Sequence, residues 1–279
     1  MNYFFGKKMR GINQRFINDL NEGELSFFLQ QVKERRDELA LEIRDDYINI
    51  YYLGGNLLKI TQKRNGYLFY FDPRYCLNKG DDSNCEQISK LDSFSASDYA
   101  DNFGLLINEI STWLKKHPKN EREYQHNLLL NNASIVDIEY QVKRDMRFDM
   151  LLVTGDRLVI VENKYGPNAI SGKAGLSEHY TDICNVLNDE ELKKDLYGSV
   201  LSIADCKYKL DLRKEHILQL NPENPEILFL LGNYDRKSQA AQTEMSRIEI
   251  TVPVKLLFMS ADEYVIDMSK AVEIGSTEE

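Results

Sequence analysis

No apolar run in the chain approaches the roughly 18 residues of a membrane-spanning helix, so none is expected. The opening stretch, Met1 to Arg10, lacks the continuous apolar segment of about 7–15 residues that marks a secretory signal, and a cytoplasmic protein is expected. Cysteine is sparse. Cys76, Cys85, Cys184 and Cys206 form no Cys-x-x-Cys pair and have no His-x-x-x-His nearby, so free thiols are expected, with a Cys76–Cys85 disulfide or a zinc site as alternatives. There is no Gly-x-x-x-x-Gly-Lys-Ser/Thr loop, which argues against ATP hydrolysis. There is no Gly-x-Ser-x-Gly elbow. Basic residues are outnumbered, 35 against 45, for a formal charge of −10. That excludes a generally polybasic nucleic-acid binder but leaves room for a local basic groove on an acidic body. Internal repeats and low-complexity tracts are absent as well.

What is there reads as globular. Apolar residues make up 42% and charged residues 29% of 279 residues. That balance and length suit one large domain or two modest ones with a sizeable core. The apolar spacing of Glu24–Arg36 predicts a short helix. The period then changes to two over residues 38–43, 47–53, 56–62 and 67–71. These runs are divided by Arg44-Asp45-Asp46, Gly54-Gly55 and Asn65-Gly66, the last two being pairs that tolerate positive φ. A four-stranded antiparallel meander is expected. Residues 76–95 read as a connection. A long helix follows over Ser97–Lys116, ended by Pro118, then a second over Asn120–Asn131. Strand-like runs come next at Ser134–Val142, Arg147–Thr154 and Arg157–Tyr165. Helical sequence occupies Leu176–Ile203, a buried strand Glu226–Gly232, a helix Arg236–Arg247 and a last strand Val254–Met259. The expected class is α/β (α+β), with a meander-bearing part at 1–85 and a second part at 96–279.

The most informative residues lie on one hairpin. If Gly155-Asp156 is a two-residue turn, Thr154 pairs with Arg157, and residues whose numbers sum to 311 lie opposite one another. Asp149 and Glu162 are such a pair, with Cβ atoms expected roughly 4.5–5.5 Å apart. Lys164, two residues on, shares the face of Glu162. Arg147 falls opposite Lys164 in the same register. Like charges placed opposite each other destabilise a sheet. The flanking Met150-Leu-Leu-Val and Leu158-Val-Ile-Val are apolar, and buried charge is rare unless paired or metal-bound. Two carboxylates with the backbone carbonyl of Asn163 suit Mg2+ or Mn2+, and Lys164 could hold a metal-bound water. Such a set performs metal-assisted phosphodiester hydrolysis. The alternative is a pair of ordinary surface acids.

The string Phe-Asp149, twelve residues, Glu162-Asn-Lys164 resembles the PD-(D/E)XK nuclease superfamily, in particular its bacterial branch with a Glu-Asn-Lys strand. The similarity covers roughly Asn120–Gly232 and includes the order helix, three strands, helix, strand. It implies a restriction-endonuclease-like core, a central mixed sheet flanked by helices. It further implies a divalent-metal-dependent nuclease in which Asp149 and Glu162 are metal ligands and Lys164 is the catalytic lysine. The leading Pro of the family is replaced by Phe148. A helix carboxylate is implied too, with Glu121 preferred over Glu123 because it shares a face with Tyr124, Gln125 and Leu128. A Gln-x-x-x-Tyr motif of some relatives is replaced by Leu176-Ser-Glu-His179-Tyr180, where His179 is read as a structural histidine that could otherwise reach a phosphate. A role in restriction or phage defence is implied by the resemblance alone.

For substrate, DNA first, the basic residues to consider are Arg147, Lys143 and Arg144, then Lys207, Lys209, Arg213 and Lys214 around Tyr208. Lys7, Lys8, Arg10 and Arg15 near Tyr3, Phe4 and Phe5 form a third group. Two other readings stand beside the enzyme. One is a non-catalytic nucleic-acid- or protein-binding module on the same fold. The other is a protein–protein module working through Tyr47, Tyr51, Tyr52, Tyr67 and Tyr70. Whether a second copy or a partner protein takes part is left open by the residues.

Overall fold

The computed structural model describes residues 9–76, 83–143, 146–166, 170, 175–234 and 238–274. Arg144, Lys7, Lys8, Tyr3, Phe4 and Phe5 lie outside the described residues. The fold is α+β, with an antiparallel four-stranded sheet and a mixed six-stranded sheet. Among the described residues no helix is long and apolar enough to cross a membrane.

The chain divides into two compact units, the first of Arg10–Leu130 with Ile203–His216, the second built mainly of Asn131–Ser202 and Ile217–Glu279. Helices read from composition as part of the second half, up to Leu130, thus cluster with the meander.

The first unit holds β1 (Leu39–Ile43), β2 (Tyr47–Tyr52), β3 (Gly55–Lys63) and β4 (Gly66–Tyr70) in sequential order. The meander is as expected, but both turns sit one residue earlier. Tyr52 pairs with Gly55, so the β2–β3 turn is Leu53-Gly54, with φ of +46° and +75°. Positive φ at both central residues is the mirror-image turn whose twist matches a hairpin. Lys63 pairs with Gly66, so the next turn is Arg64-Asn65, and Gly66 takes φ +129°. Before the sheet, α2 (Ser26–Glu34) matches the expected helix, whereas α1 (Gln14–Asn21) was not anticipated. The Asn13 side chain accepts the Phe16 N–H at 3.0 Å and starts α1, which buries Phe16, Ile17 and Leu20.

Within the connection at 76–95 there is a short helix, α3 (Ser83–Ser89), preceded by a 3-10 turn at Pro73–Cys76. The single helix expected over 97–116 is two, α4 (Ala96–Asp101) and α5 (Phe103–Lys116). Asn102 causes the break. Its side chain donates to the Asp98 carbonyl at 2.8 Å, offering the backbone a local alternative to helix. α6 runs over Asn120–Asn131 as expected.

The second unit carries the six-stranded sheet. Its strands are β5 (Ile135–Lys143), β6 (Met146–Thr154), β7 (Arg157–Tyr165), β8 (Glu226–Gly232), β9 (Val254–Met259) and β10 (Val272–Glu273), in the order β10-β9-β8-β7-β6-β5. β5, β6 and β7 are antiparallel; β7–β8 and β8–β9 are parallel. Every residue of β8 is buried, the mark of a strand covered on both faces. The helical stretch after β7 is two helices, α7 (Leu176–Asn188) and α8 (Glu190–Lys209). Asp189 separates them, because its carboxylate accepts the N–H groups of Glu191 and Leu192 at 3.1 and 3.0 Å and so caps α8. α9 covers Gln239–Met245, and the two-residue β10 is an element the sequence did not announce.

Candidate functional site

The hairpin β6–β7 forms around Gly155-Asp156 with Gly155 at φ +63°. Glycine at the first central position suits a two-residue hairpin turn. The pairs run from Thr154–Arg157 through Met150–Val161, so the 311 register holds over the core of the hairpin. The ladder ends there, one step short of Asp149 and Glu162. Beyond it β7 keeps its pairing with β8, Glu162 lying beside Phe229 and Lys164 beside Leu231. At the point where β6 parts from β7, the Asp149 side chain replaces the missing backbone partner: its Oδ2 accepts the Asn163 N–H at 3.0 Å. The expected Arg147–Lys164 pair is not in the ladder. Arg147 instead pairs with Gln141 of β5, and its guanidinium meets Glu139 at 3.2 Å. Glu139 is in a left-handed conformation at φ +52° and falls between the Ile138–Met150 and Tyr140–Phe148 pairs, opposite Asp149.

Glu162 and Lys164 are buried, 3% and 7% exposed, and their side chains meet with Lys164 Nζ donating to Glu162 Oε1 at 2.7 Å. Strand alternation puts them on one face. It sends the side chain of Asn163 to the other, where its Oδ1 is buried with no hydrogen-bond partner among the described residues. Only the backbone of Asn163 is thus available to a metal at the Glu162 face. His179 completes the cluster. It stands one turn into α7, which packs against β7. Its Nε2 is 3.0 Å from Glu162 Oε1 and 3.3 Å from Lys164 Nζ.

The electrostatics follow from this crowding. Burial, and then the charge of Glu162, push the Asp149 carboxyl up to about 7, against the pull of the Asn163 N–H, Lys164 and Arg147. Burial and the Lys164 ammonium push His179 below its ordinary value of 6.5, so the ring is neutral at pH 7. Two acids held at mutual cost, with backbone and an ammonium beside them, fit a hard divalent cation such as Mg2+ or Mn2+, which lowers the cost of ionising Asp149.

The sequence suggests a structural role for His179, yet it touches both Glu162 and Lys164. Tyr180, next to it, has the structural role. Its hydroxyl accepts the N–H groups of Thr251 and Val252 at 2.7 and 2.8 Å and donates to the Val252 carbonyl at 3.0 Å, tying α7 to the segment before β9. Leu176, where some relatives of the resembled family carry Gln, is fully buried. The register could predict Asp149, Glu162 and Lys164, but no local signal points to His179.

Of the remaining candidates, Glu121 and Glu123 are exposed in the first turn of α6 and belong to the first unit, whereas the hairpin acids belong to the second. Lys143 is exposed at the end of β5. Lys207 is no solvent-facing cation: it is buried against Glu42 at 2.6 Å within the first unit. Arg213 is buried too, donating to the Glu215 carbonyl, and Lys209 is held by Asp205 at 2.7 Å. Arg10 is buried, and Arg15 pairs with Asp19 at 3.5 Å. Of the basic cluster expected along 207–214, Lys209 and Lys214 are exposed, Lys209 in its pair with Asp205.

Searches against protein-family models, curated proteins and solved structures found no match to this chain.

Proposed function

We propose that the protein is a divalent-metal-dependent nuclease hydrolysing phosphodiester bonds, DNA first, with its centre at the open end of the β6–β7 hairpin. The observation that carries this reading is that Lys164 Nζ meets Glu162 Oε1 at 2.7 Å while Asp149 Oδ2 accepts the N–H of the intervening Asn163 at 3.0 Å, and burial and then Glu162 push the Asp149 carboxyl up. Asp149 and Glu162 would hold Mg2+ or Mn2+, with the Asn163 backbone beside them. Bound there, the ion supplies Lewis acidity and lowers the pKa of a water. Lys164, whose ammonium is fixed by Glu162 and His179, would orient a water toward phosphorus. Arg147 and Lys143 stand at the edge, where flanking phosphates would pass. A role in restriction or phage defence is part of this proposal.

A second reading is favoured by the Lys164–Glu162 contact itself. A buried ion pair at 2.7 Å can be purely structural, which fits a non-catalytic binding module. Cleavage of plasmid, single-stranded DNA and RNA in Mg2+ or Mn2+ separates the two. Lys164→Ala is expected to lower cleavage by about 10²–10⁴-fold, the range of a positioned acid–base group, while retaining metal binding in calorimetry. Activity in Lys164→Ala within a few-fold of the parent would exclude Lys164 from catalysis. No metal-dependent cleavage of any of the three substrates would favour the binding module.

A further inference from the structure

A second cluster lies wholly in the first unit. Cys76 ends the 3-10 turn, Cys85 is in the first turn of α3, and Glu109 is in the middle of α5, which packs against both. One ligand atom from each residue lies within 4.8 Å of the other two. We propose that Cys76, Cys85 and Glu109 form a binding site for a thiophilic divalent cation of the zinc class.

The geometry is close to what such an ion requires. With Zn–S near 2.3 Å and Zn–O near 2.0 Å, the ligand atoms of a tetrahedral site stand about 3.5–3.8 Å apart. Cys85 Sγ is already 3.6 Å from Glu109 Oε2. The chemistry of the set is selective. Two sulfurs with one carboxylate favour zinc over magnesium, whereas the oxygens of Asp149 and Glu162 favour the reverse. Glu109 forms the floor at 1% exposure, steadied by Asn84 Nδ2 at 3.4 Å. Both cysteines are partly exposed, and a water would complete a tetrahedral set. Without metal, burial, the neighbouring Cys76 and the Glu109 charge push the Cys85 thiol up to about 12. A divalent cation reverses that balance: two S–H bonds break, two metal–sulfur bonds form, and two protons leave to solvent. The ion would tie α3 and the turn after β4 to α5.

The test uses the reduced, chelator-treated full chain titrated with Co2+, whose thiolate charge-transfer band reports sulfur ligation. One equivalent is expected to bind with that band, and Zn2+ is expected to displace it. Cys85→Ser should abolish the band, and Glu109→Gln should weaken Co2+ binding by at least tenfold. Because Glu109 is buried, circular dichroism must show Glu109→Gln folded, and the partly exposed Cys85→Ser carries the test if it is not. The Asp149→Asn/Glu162→Gln variant should bind Co2+ at the thiols as the parent does, which separates this site from the hairpin. No thiolate band in the parent would overturn the proposal. So would a band that survives Cys85→Ser, or a Cys76–Cys85 disulfide formed in air with no metal uptake by the reduced chain.

Discussion

Replacing Asp149 by Asn removes one charge from the crowded end of the hairpin and should stabilise the protein, in a pH-dependent way. In the folded state burial and then Glu162 push this carboxyl up to about 7, against an ordinary value of 3.8. At about 1.36 kcal/mol per pH unit, that displacement corresponds to a ceiling of about 4 kcal/mol. Asp149 is only partly buried, and water reaching it lowers the expected figure to about 2 kcal/mol. The folded pKa is raised, so the folded state holds the proton more tightly than the unfolded state does. The stability this confers is complete below about pH 4 and is lost as the pH rises through about 7. The amide introduced by Asp149→Asn has no proton to lose, and its oxygen can still accept the Asn163 N–H that Asp149 now takes at 3.0 Å. The variant should match the parent near pH 4 and exceed it by about 2 kcal/mol above pH 7. Urea denaturation of both proteins across that range measures the difference. Added Mg2+ should stabilise the parent above pH 7 and leave the variant unchanged. A variant less stable than the parent by the same amount at every pH would refute the reasoning. It would mean that Asp149 acts as a hydrogen-bond acceptor and not as a strained charge.

Three further substitutions test the first unit and the hairpin turn. Gly54→Ala should cost about 3 kcal/mol, the sum of a left-handed backbone penalty and a collision of the new Cβ with the Arg122 backbone carbonyl. Gly155→Ala, at similar φ but with open space around the Cβ, should cost only about 1 kcal/mol. Equal losses in denaturant midpoint would show that packing on α6 contributes nothing. Glu42→Gln leaves Lys207 and Arg44 buried around a neutral side chain, where Glu42 now meets them at 2.6 and 3.8 Å. A loss of about 3 kcal/mol is expected, with at least half of it restored in Glu42→Gln/Lys207→Met. A loss below about 1 kcal/mol would show that water reaches the pair.

Much of the fold was legible because its signals are local. The meander, α6 and strands β5 to β9 announce themselves by period and by turn residues, and their bounds differ from the expectation by a residue or two at most. The errors have local causes as well. Asn102 and Asp189 interrupt apolar stripes that run on regardless, since their side chains satisfy backbone groups that periodicity does not register. Asn13 ahead of Phe16 and Ile17 was a readable cap for α1. The two-residue β10 is too short for a period, and it exists because β9 offers a sheet edge.

The candidate site divides along the same line. The turn at Gly155-Asp156 made the register legible as far as Met150–Val161, one step short of Asp149 and Glu162, and the Arg147–Lys164 pair expected beyond it does not form because β6 parts from β7 there. His179 was not legible, because its place depends on how α7 packs on β7. Lys207 misled for a related reason: its partner Glu42 is 165 positions away, so a buried ion pair looked like a solvated basic cluster.

That correction sharpens what the proposed chemistry requires. Arg147 is matched by Glu139, and the single charge of Lys164 offsets only one of the two acids Asp149 and Glu162. With Asp149 ionised and His179 neutral, these five charged groups sum to −1, two cations against three acids. A phosphate approaching that corner meets net repulsion, on a chain whose formal charge is already −10. A bound divalent cation turns the local sum to +1 and lowers the cost of ionising Asp149 at the same time. On the nuclease reading, metal and substrate are therefore linked through Asp149 and Glu162. The ion makes the corner attractive to a polyanion, and the polyanion in turn stabilises the ion. A binding module without metal would have to present its positive surface elsewhere, because these five groups, counted among the described residues, leave the corner net negative.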